Sequence, residues 1–83
     1  MTLRSFLALD VRDSSATESL LRARIEDAGG MVEQCDTRIA PRGGQEIVFA
    51  LKAVPVDVLH RIMQRVEKLP GVAVRSVSQH AHS

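Results

Sequence analysis

The chain has 83 residues, is 45% hydrophobic and 25% charged, and carries a formal net charge of +1, which is the profile of one globular domain. Its 11 basic residues are dispersed, which argues against nucleic acid as a partner, and no stretch approaches the roughly 20 apolar residues of a membrane span. With one cysteine and no apolar run at the N-terminus, we expect a cytoplasmic domain without direct membrane insertion.

The first predicted strand spans residues 3–11. Leu7 and Leu9 share one of its faces, and Phe6 and Ala8 share the other, so both faces are apolar in the middle. This pattern is typical of a central strand that is covered at least partly on both sides.

A helix is predicted to follow this strand. Ser15 and Glu18 have the spacing of a capping box, in which the Ser15 hydroxyl accepts a backbone N–H and Glu18 reaches back; Ser14 could cap instead. A glycine pair, Gly29 and Gly30, ends the helix. The apolar residues that recur at helical spacing are Leu20, Leu21, Ile25 and Ala28.

Two further strands are predicted to form a hairpin. In residues 31–39, Met31, Cys35 and Ile39 form an apolar face opposite a polar one, which suits an edge strand. A loop that contains proline and two glycines reverses the chain. Residues 46–54 are almost continuously apolar, so this strand should lie in the centre of the sheet.

The second helix is predicted to begin near Pro55, whose missing N–H costs little in a first helical turn, and to end at Pro70 and Gly71. Residues 72–78 form the last predicted strand, and residues 79–83 are expected to be a loose tail. The apolar stripe of the helix comprises Leu59, Ile62, Met63, Val66 and Leu69.

The order β-α-β-β-α-β predicts a ferredoxin-like α+β sandwich over residues 1–78, with a four-stranded antiparallel sheet and both helices on one face. If Leu7 and Phe49 face the helices, an apolar face of the two central strands remains open, unless a bulge reverses the parity. An exposed apolar face usually marks a partner surface, so we expect a homodimer or docking onto a parent protein. The residues predicted for this assembly face are Phe6, Ala8, Val48 and Ala50.

Three segments resemble the ACT family of small regulatory domains: FLALDV (6–11), AGGMV (28–32) and VEKLPGVAVRSV (66–77). The resemblance covers nearly the whole chain. It implies a noncatalytic domain that binds a small effector such as an amino acid, regulates an attached protein and pairs with another such domain. Ligand-binding members often carry a glycine in the turn after the first strand, which this chain lacks. Its candidates for effector contact in that turn and at the helix start are Asp13, Ser14, Ser15, Ala16 and Thr17.

The same turn also resembles the soluble C-terminal domain of the MgtC/SapB membrane proteins. Those proteins typically carry a tryptophan near the end of the last strand, and this chain has no tryptophan. This alternative implies an interaction scaffold that binds no effector.

No residue pattern predicts an enzyme. The chain has no Ser-His-Asp or Cys-His arrangement, no phosphate loop and no close carboxylate pair, so we expect no catalytic residue and no cofactor. His80 and His82 provide two imidazoles, fewer than the three protein ligands that zinc usually takes, so we expect no metal site. Cys35 has no neighbouring cysteine and is interpreted as a packing residue.

Overall fold

The computed structural model of the chain describes residues 2–12, 16–41 and 43–82. Its elements are β1 (Thr2–Val11), α1 (Glu18–Asp27), β2 (Val32–Ile39), β3 (Gln45–Leu51), α2 (Val56–Glu67) and β4 (Val72–His82). The four strands form one antiparallel sheet with the spatial order β2-β3-β1-β4. The ferredoxin-like fold is therefore confirmed, with β1 and β3 in the centre. Neither helix in these residues is long and apolar enough to cross a membrane.

The two faces of the sheet are covered differently. Leu7 on β1 lies opposite Phe49 on β3, and both side chains are completely buried. Ala8 and Val48 are opposite each other on the other face and are only half-buried. Of the two parities that the sequence left open, the structure therefore has the one in which Leu7 and Phe49 face the helices. The side that carries Leu7 and Phe49 is called the helix-covered face below, and the other side is called the open face.

The core lies between the helix-covered face and the two helices, and it is almost entirely aliphatic. A β-carbon on Gly30 would lie 2.7 Å from Ile25 Cγ2 on α1 and 2.8 Å from Ile62 Cδ1 on α2, so a glycine allows the helices to pack closely here. Burial of each large aliphatic side chain stabilises the fold by about 1.5–3 kcal/mol. The largest fully buried side chains are Phe49, Leu7, Leu9, Leu21, Ile25, Ile47, Leu51, Ile62 and Val66.

The start of α1 differs from the prediction. The N-cap is Thr17, not Ser15, because its extended backbone (φ −81°, ψ 161°) lets the hydroxyl accept the Leu20 N–H at 3.2 Å. Glu18 is then the first helical residue and not the third, so the predicted capping box is wrong. Ser15 itself lies outside the described residues.

The predicted packing face of β2 is wrong at both ends. Met31 and Ile39 are 57% and 87% exposed, and of the three predicted residues Cys35 alone packs against the core, together with the neighbouring Val32. The register with β3 shifts between Val32 and Gln34. This bulge inserts an extra residue and breaks the alternation between Met31 and Cys35. Ile39 lies beyond the bulge, on the same face as Cys35, and is exposed at the hairpin end of the strand.

Two strand ends also differ from the prediction. β3 ends at Leu51 and not at residue 54. Pro55 occupies the N-cap position of α2, where it makes no side-chain hydrogen bond. β4 continues to His82, which pairs with Thr2, so the predicted loose tail belongs to the sheet up to that residue. The prediction failed because backbone pairing with β1 does not require an apolar side-chain pattern.

Candidate functional site

A groove of about 620 Å³ opens on the helix-covered side of the sheet, where the start of α1 lies beside the β2–β3 hairpin. Its apolar lining includes Val11, Ala16 and Ile47, all of which are buried. Exposed side chains line the remainder: Arg12, Thr17, Glu18, Thr37, Ile39 and Gln45. The groove therefore combines an apolar surface with both charges, as small-molecule sites commonly do.

Two of the five residues predicted for effector contact line this groove. Ala16 is buried and contributes only apolar surface, while Thr17 uses its hydroxyl to cap α1. Asp13, Ser14 and Ser15 lie outside the described residues. The predicted region thus lies at the groove, but its two described residues, Ala16 and Thr17, have uncharged side chains.

The charged groups of the groove were missed by the sequence prediction. Arg12 follows β1 directly and is anchored by its backbone N–H, which donates to Gly71 O at 2.8 Å. Glu18 begins α1, and its carboxylate is 3.4 Å from Arg22 Nη2 one turn later. In the sequence, Arg12 looks like part of a solvated turn and Glu18 looks like a capping residue. Neither role predicts that the two residues share a groove.

Gly44 closes one side of the groove. It has a φ of +79°, and a β-carbon there would lie 2.7 Å from Val11 O, so a glycine is required both by the backbone conformation and by the close approach to β1. The sequence indicated only that the glycines mark a turn. The contact with Val11 shows that the turn also folds the hairpin loop against the end of the first strand.

Cys35 lies on β2 beside the start of α1. Its own burial, followed by a hydrogen bond to Glu18 and the negative charge of that residue, raises the pKa of the thiol to about 11, and Thr37 and Arg22 oppose the shift. A thiol with a raised pKa is protonated at neutral pH and is a poor nucleophile. The geometry around Cys35 therefore suits packing better than covalent chemistry.

The predicted assembly face lies on the open face. Phe6 is opposite Ala50, and Ala8 is opposite Val48, so the four residues form one contiguous block on the central strands. All four are half-buried. The residues of β1 and β3 that form the core beneath the helices point to the opposite face of the sheet. The residues are brought together as predicted; their role in assembly stays a prediction.

Charged residues border this block. The register of β1 with β4 shifts between Ala8 and Leu9, which leaves Arg75 as the extra residue of a bulge. Its guanidinium hydrogen-bonds Glu46 and lies 3.7 Å from Asp10 Oδ1. The block is thus flanked by a compact network of one base and two acids.

Within the part of the chain that the structure describes, no three His, Cys, Asp or Glu side chains are grouped closely enough to hold a metal ion. What the groove can do is bind a ligand by charge and apolar contact. No protein-family model matches the chain, and no curated protein is significantly similar to it.

Proposed function

We propose that this chain is a noncatalytic regulatory domain that binds a small zwitterionic effector, such as an amino acid, in the groove beside α1. The observation that carries the proposal is the presence of a base, Arg12, and an acid, Glu18, around an apolar surface in one groove. This function also agrees with the resemblance of the chain to ACT domains. The domain would work in the cytoplasm, as a homodimer or as part of a larger protein.

The chemistry of the groove matches both ends of an amino acid. The Arg12 guanidinium would bind the carboxylate through charge-assisted hydrogen bonds, and Glu18 would accept from the ammonium group. The side chain of the effector would contact Val11 and Ile39, and this contact would reduce the 87% exposure of Ile39. Because Glu18 already pairs with Arg22, we expect modest affinity.

Calorimetric titration with each of the common amino acids tests this proposal. At least one should bind and raise the melting temperature, because a ligand that binds only the folded state stabilises it. Arg12→Gln should abolish binding, whereas Arg61→Gln, on an exposed position of α2, should leave it unchanged. Absence of binding by every amino acid at millimolar concentration would contradict the proposal.

A second candidate function is an interaction scaffold without an effector, as in the soluble domain of MgtC/SapB-like proteins. The observation that favours it is the half-buried apolar block of the open face. Under this alternative, Ala50→Lys should weaken association in light scattering, because it places a charge in the block. Ala23→Lys, on the exposed side of α1, is the matched control. Unchanged association of Ala50→Lys would remove this candidate.

A further inference from the structure

Three basic side chains line one hollow where the two helices meet. The hollow has a volume of about 430 Å³, and it is lined by Arg24 of α1, Arg65 of α2, and Lys68 and Leu69 directly after α2. The three basic residues are exposed, whereas Leu69 is half-buried and packs against the core. These four residues define the cationic hollow, in which three positive charges surround one apolar side chain.

The fold brings together basic residues that are distant in the sequence. Arg65 and Lys68 are three residues apart, and Lys68 keeps a helical backbone at the C-cap (φ −72°, ψ −16°), so the two side chains lie on the same side of α2. The two helices pack closely at Gly30, and this approach brings Arg24 of α1 beside the end of α2. The cationic hollow is thus a product of the helix packing.

None of the three cations forms an ion pair within the described residues. The ion pairs there belong to Arg4, Arg22 and Arg75, and the acids nearest in sequence, Asp27 and Glu67, do not line the hollow. A cation near a helix C-terminus is favourable by itself, which accounts for each of the three residues singly. It does not account for their convergence, because like charges held close together repel.

We propose that the cationic hollow binds a small polyanion that contains two linked phosphate groups. Each guanidinium can donate two parallel hydrogen bonds to phosphate oxygens, and the ammonium group of Lys68 adds a compact charge. A carboxylate would balance only one of the three positive charges. A phosphate group carries about −1.5 to −2 at neutral pH, so two such groups balance all three.

The extent of the cluster favours a small ligand over a nucleic acid. A protein that binds a nucleic acid backbone neutralises many phosphates in succession, whereas this hollow offers three cations. The residues that line the hollow and those that line the effector groove do not overlap. The inference therefore goes beyond the proposed function, because it requires neither Arg12 nor Glu18.

Calorimetric titration of the full chain with inorganic pyrophosphate at fixed ionic strength tests the site. We expect one anion per chain and a raised melting temperature, with weaker binding in higher salt because the cations are exposed. Arg24→Gln and Arg65→Gln should each weaken binding about tenfold, since each removes hydrogen bonds to a charged ligand. Absence of binding at millimolar pyrophosphate would overturn the proposal.

Two variants control for charge and for location. Arg38→Gln lowers the net charge by the same amount at an exposed position of β2, and Arg12→Gln removes the base of the effector groove. Both should bind pyrophosphate as the wild type does. Equal weakening in Arg38→Gln would mean that the anion binds diffusely, and selective loss in Arg12→Gln would place it in the effector groove. Either result would contradict the assignment to the hollow.

Backbone amide NMR locates the anion on the unmodified chain. Pyrophosphate should shift the resonances of Arg24, Lys68 and Leu69, and it should leave those of Thr37 and Ile47 in the effector groove unchanged. The opposite pattern would overturn the proposal. Titrations with a short single-stranded oligonucleotide and with anionic vesicles test larger phosphate sources. Tighter binding of either one through the same residues would overturn the assignment to a small anion.

Discussion

Asp10 and Glu46 lie directly opposite each other on β1 and β3, and the guanidinium of Arg75 contacts both carboxylates. Two like charges in directly opposed positions destabilise a sheet. Arg75 can reach them because the bulge in β4 leaves it as an extra residue beside the open face. The bulge therefore has a local electrostatic role: it supplies a base where two acids meet.

Arg75→Gln should lower the free energy of unfolding by about 0.5–1 kcal/mol, because the Asp10–Glu46 repulsion is then uncompensated and the ion pairs are largely solvent-exposed. Adding Glu46→Gln in the same chain should recover most of the loss. Urea unfolding at neutral pH and low salt measures both effects. Arg65→Gln on α2 is the control, and an equal loss in that variant would contradict this role of Arg75.

Gly30→Ala should destabilise the fold by about 1–3 kcal/mol through overpacking against Ile25 and Ile62. Gly43→Ala is the comparison, because Gly43 has a φ of +93° and no atom within 4 Å of an added β-carbon, so its cost is backbone strain alone. Ile62→Val removes the Cδ1 atom that the new methyl group would meet. In thermal melts, Ile62→Val should therefore partly rescue Gly30→Ala. The destabilisation caused by Ile62→Val and that caused by Gly43→Ala should instead be additive.

Cys35 is expected to be alkylated slowly by iodoacetamide at pH 8. Its pKa is raised from 9.0 to about 11 in the folded chain, so its thiolate fraction should be roughly a hundredfold lower than in the unfolded chain. The rate measured against pH should give an apparent pKa of about 11 without denaturant and near 9.0 in urea. The same apparent pKa in both conditions would contradict the shift.

The same shift makes stability depend on pH. As pH rises, the unfolded chain loses the Cys35 proton first, so the unfolded state binds fewer protons and the free energy of unfolding falls. The stabilisation that the raised pKa of Cys35 contributes should be fully present below pH 9.0 and should be lost progressively as pH rises to about 11. Cys35→Ser should remove this part of the pH dependence in chemical denaturation at a series of pH values.

Thr37→Pro should be tolerated by the fold, because Thr37 lies on the outer edge of the sheet. Ala40 N–H donates to Gly44 O on the β3 side at 3.1 Å, and the direction alternates along the strand, so the Thr37 N–H points away from β3. Its removal should leave the melting temperature within a few degrees of the wild type. Arg38→Pro removes a donor on the β3 side and should destabilise the fold by about 3 kcal/mol or more. Equal destabilisation of the two variants would show that the outward direction assigned to Thr37 is wrong.

Several features of the fold could be predicted because they depend on local chemistry repeated along the chain. Alternation in β1 and β3 correctly grouped Leu7 with Phe49 on one face and Ala8 with Val48 on the other, and the structure places the first pair beneath the helices. The prediction of the α1 cap failed by two residues because Ser15 and Thr17 are both good caps, and only the backbone conformation chooses between them. The exposure of Met31 was mispredicted because a bulge leaves no signal in an apolar pattern. Ile39 does share the face of Cys35, but it lies at the hairpin end of the strand and is exposed there.

The candidate site was predictable only in part, for a similar reason. Its location near Ala16 and Thr17 follows from the turn after the first strand. The contributions of Thr37 and Ile39 depend on the hairpin that returns beside the helix, 20 or more residues after Thr17 in the chain. Segments that are distant in sequence form this groove, so no local sequence pattern predicts it.

The sequence by itself determined the order of the elements and the two central strands, since hydrophobic burial acts residue by residue along the chain. The tertiary structure decided which face of those strands the helices cover, because both faces are apolar. Only the tertiary structure decided which charges meet. It placed Arg12 with Glu18 in one groove, and Arg75 with Asp10 and Glu46 at one bulge. These contacts depend on register shifts and loop closure, which the packing of the whole domain selects and which no single segment encodes.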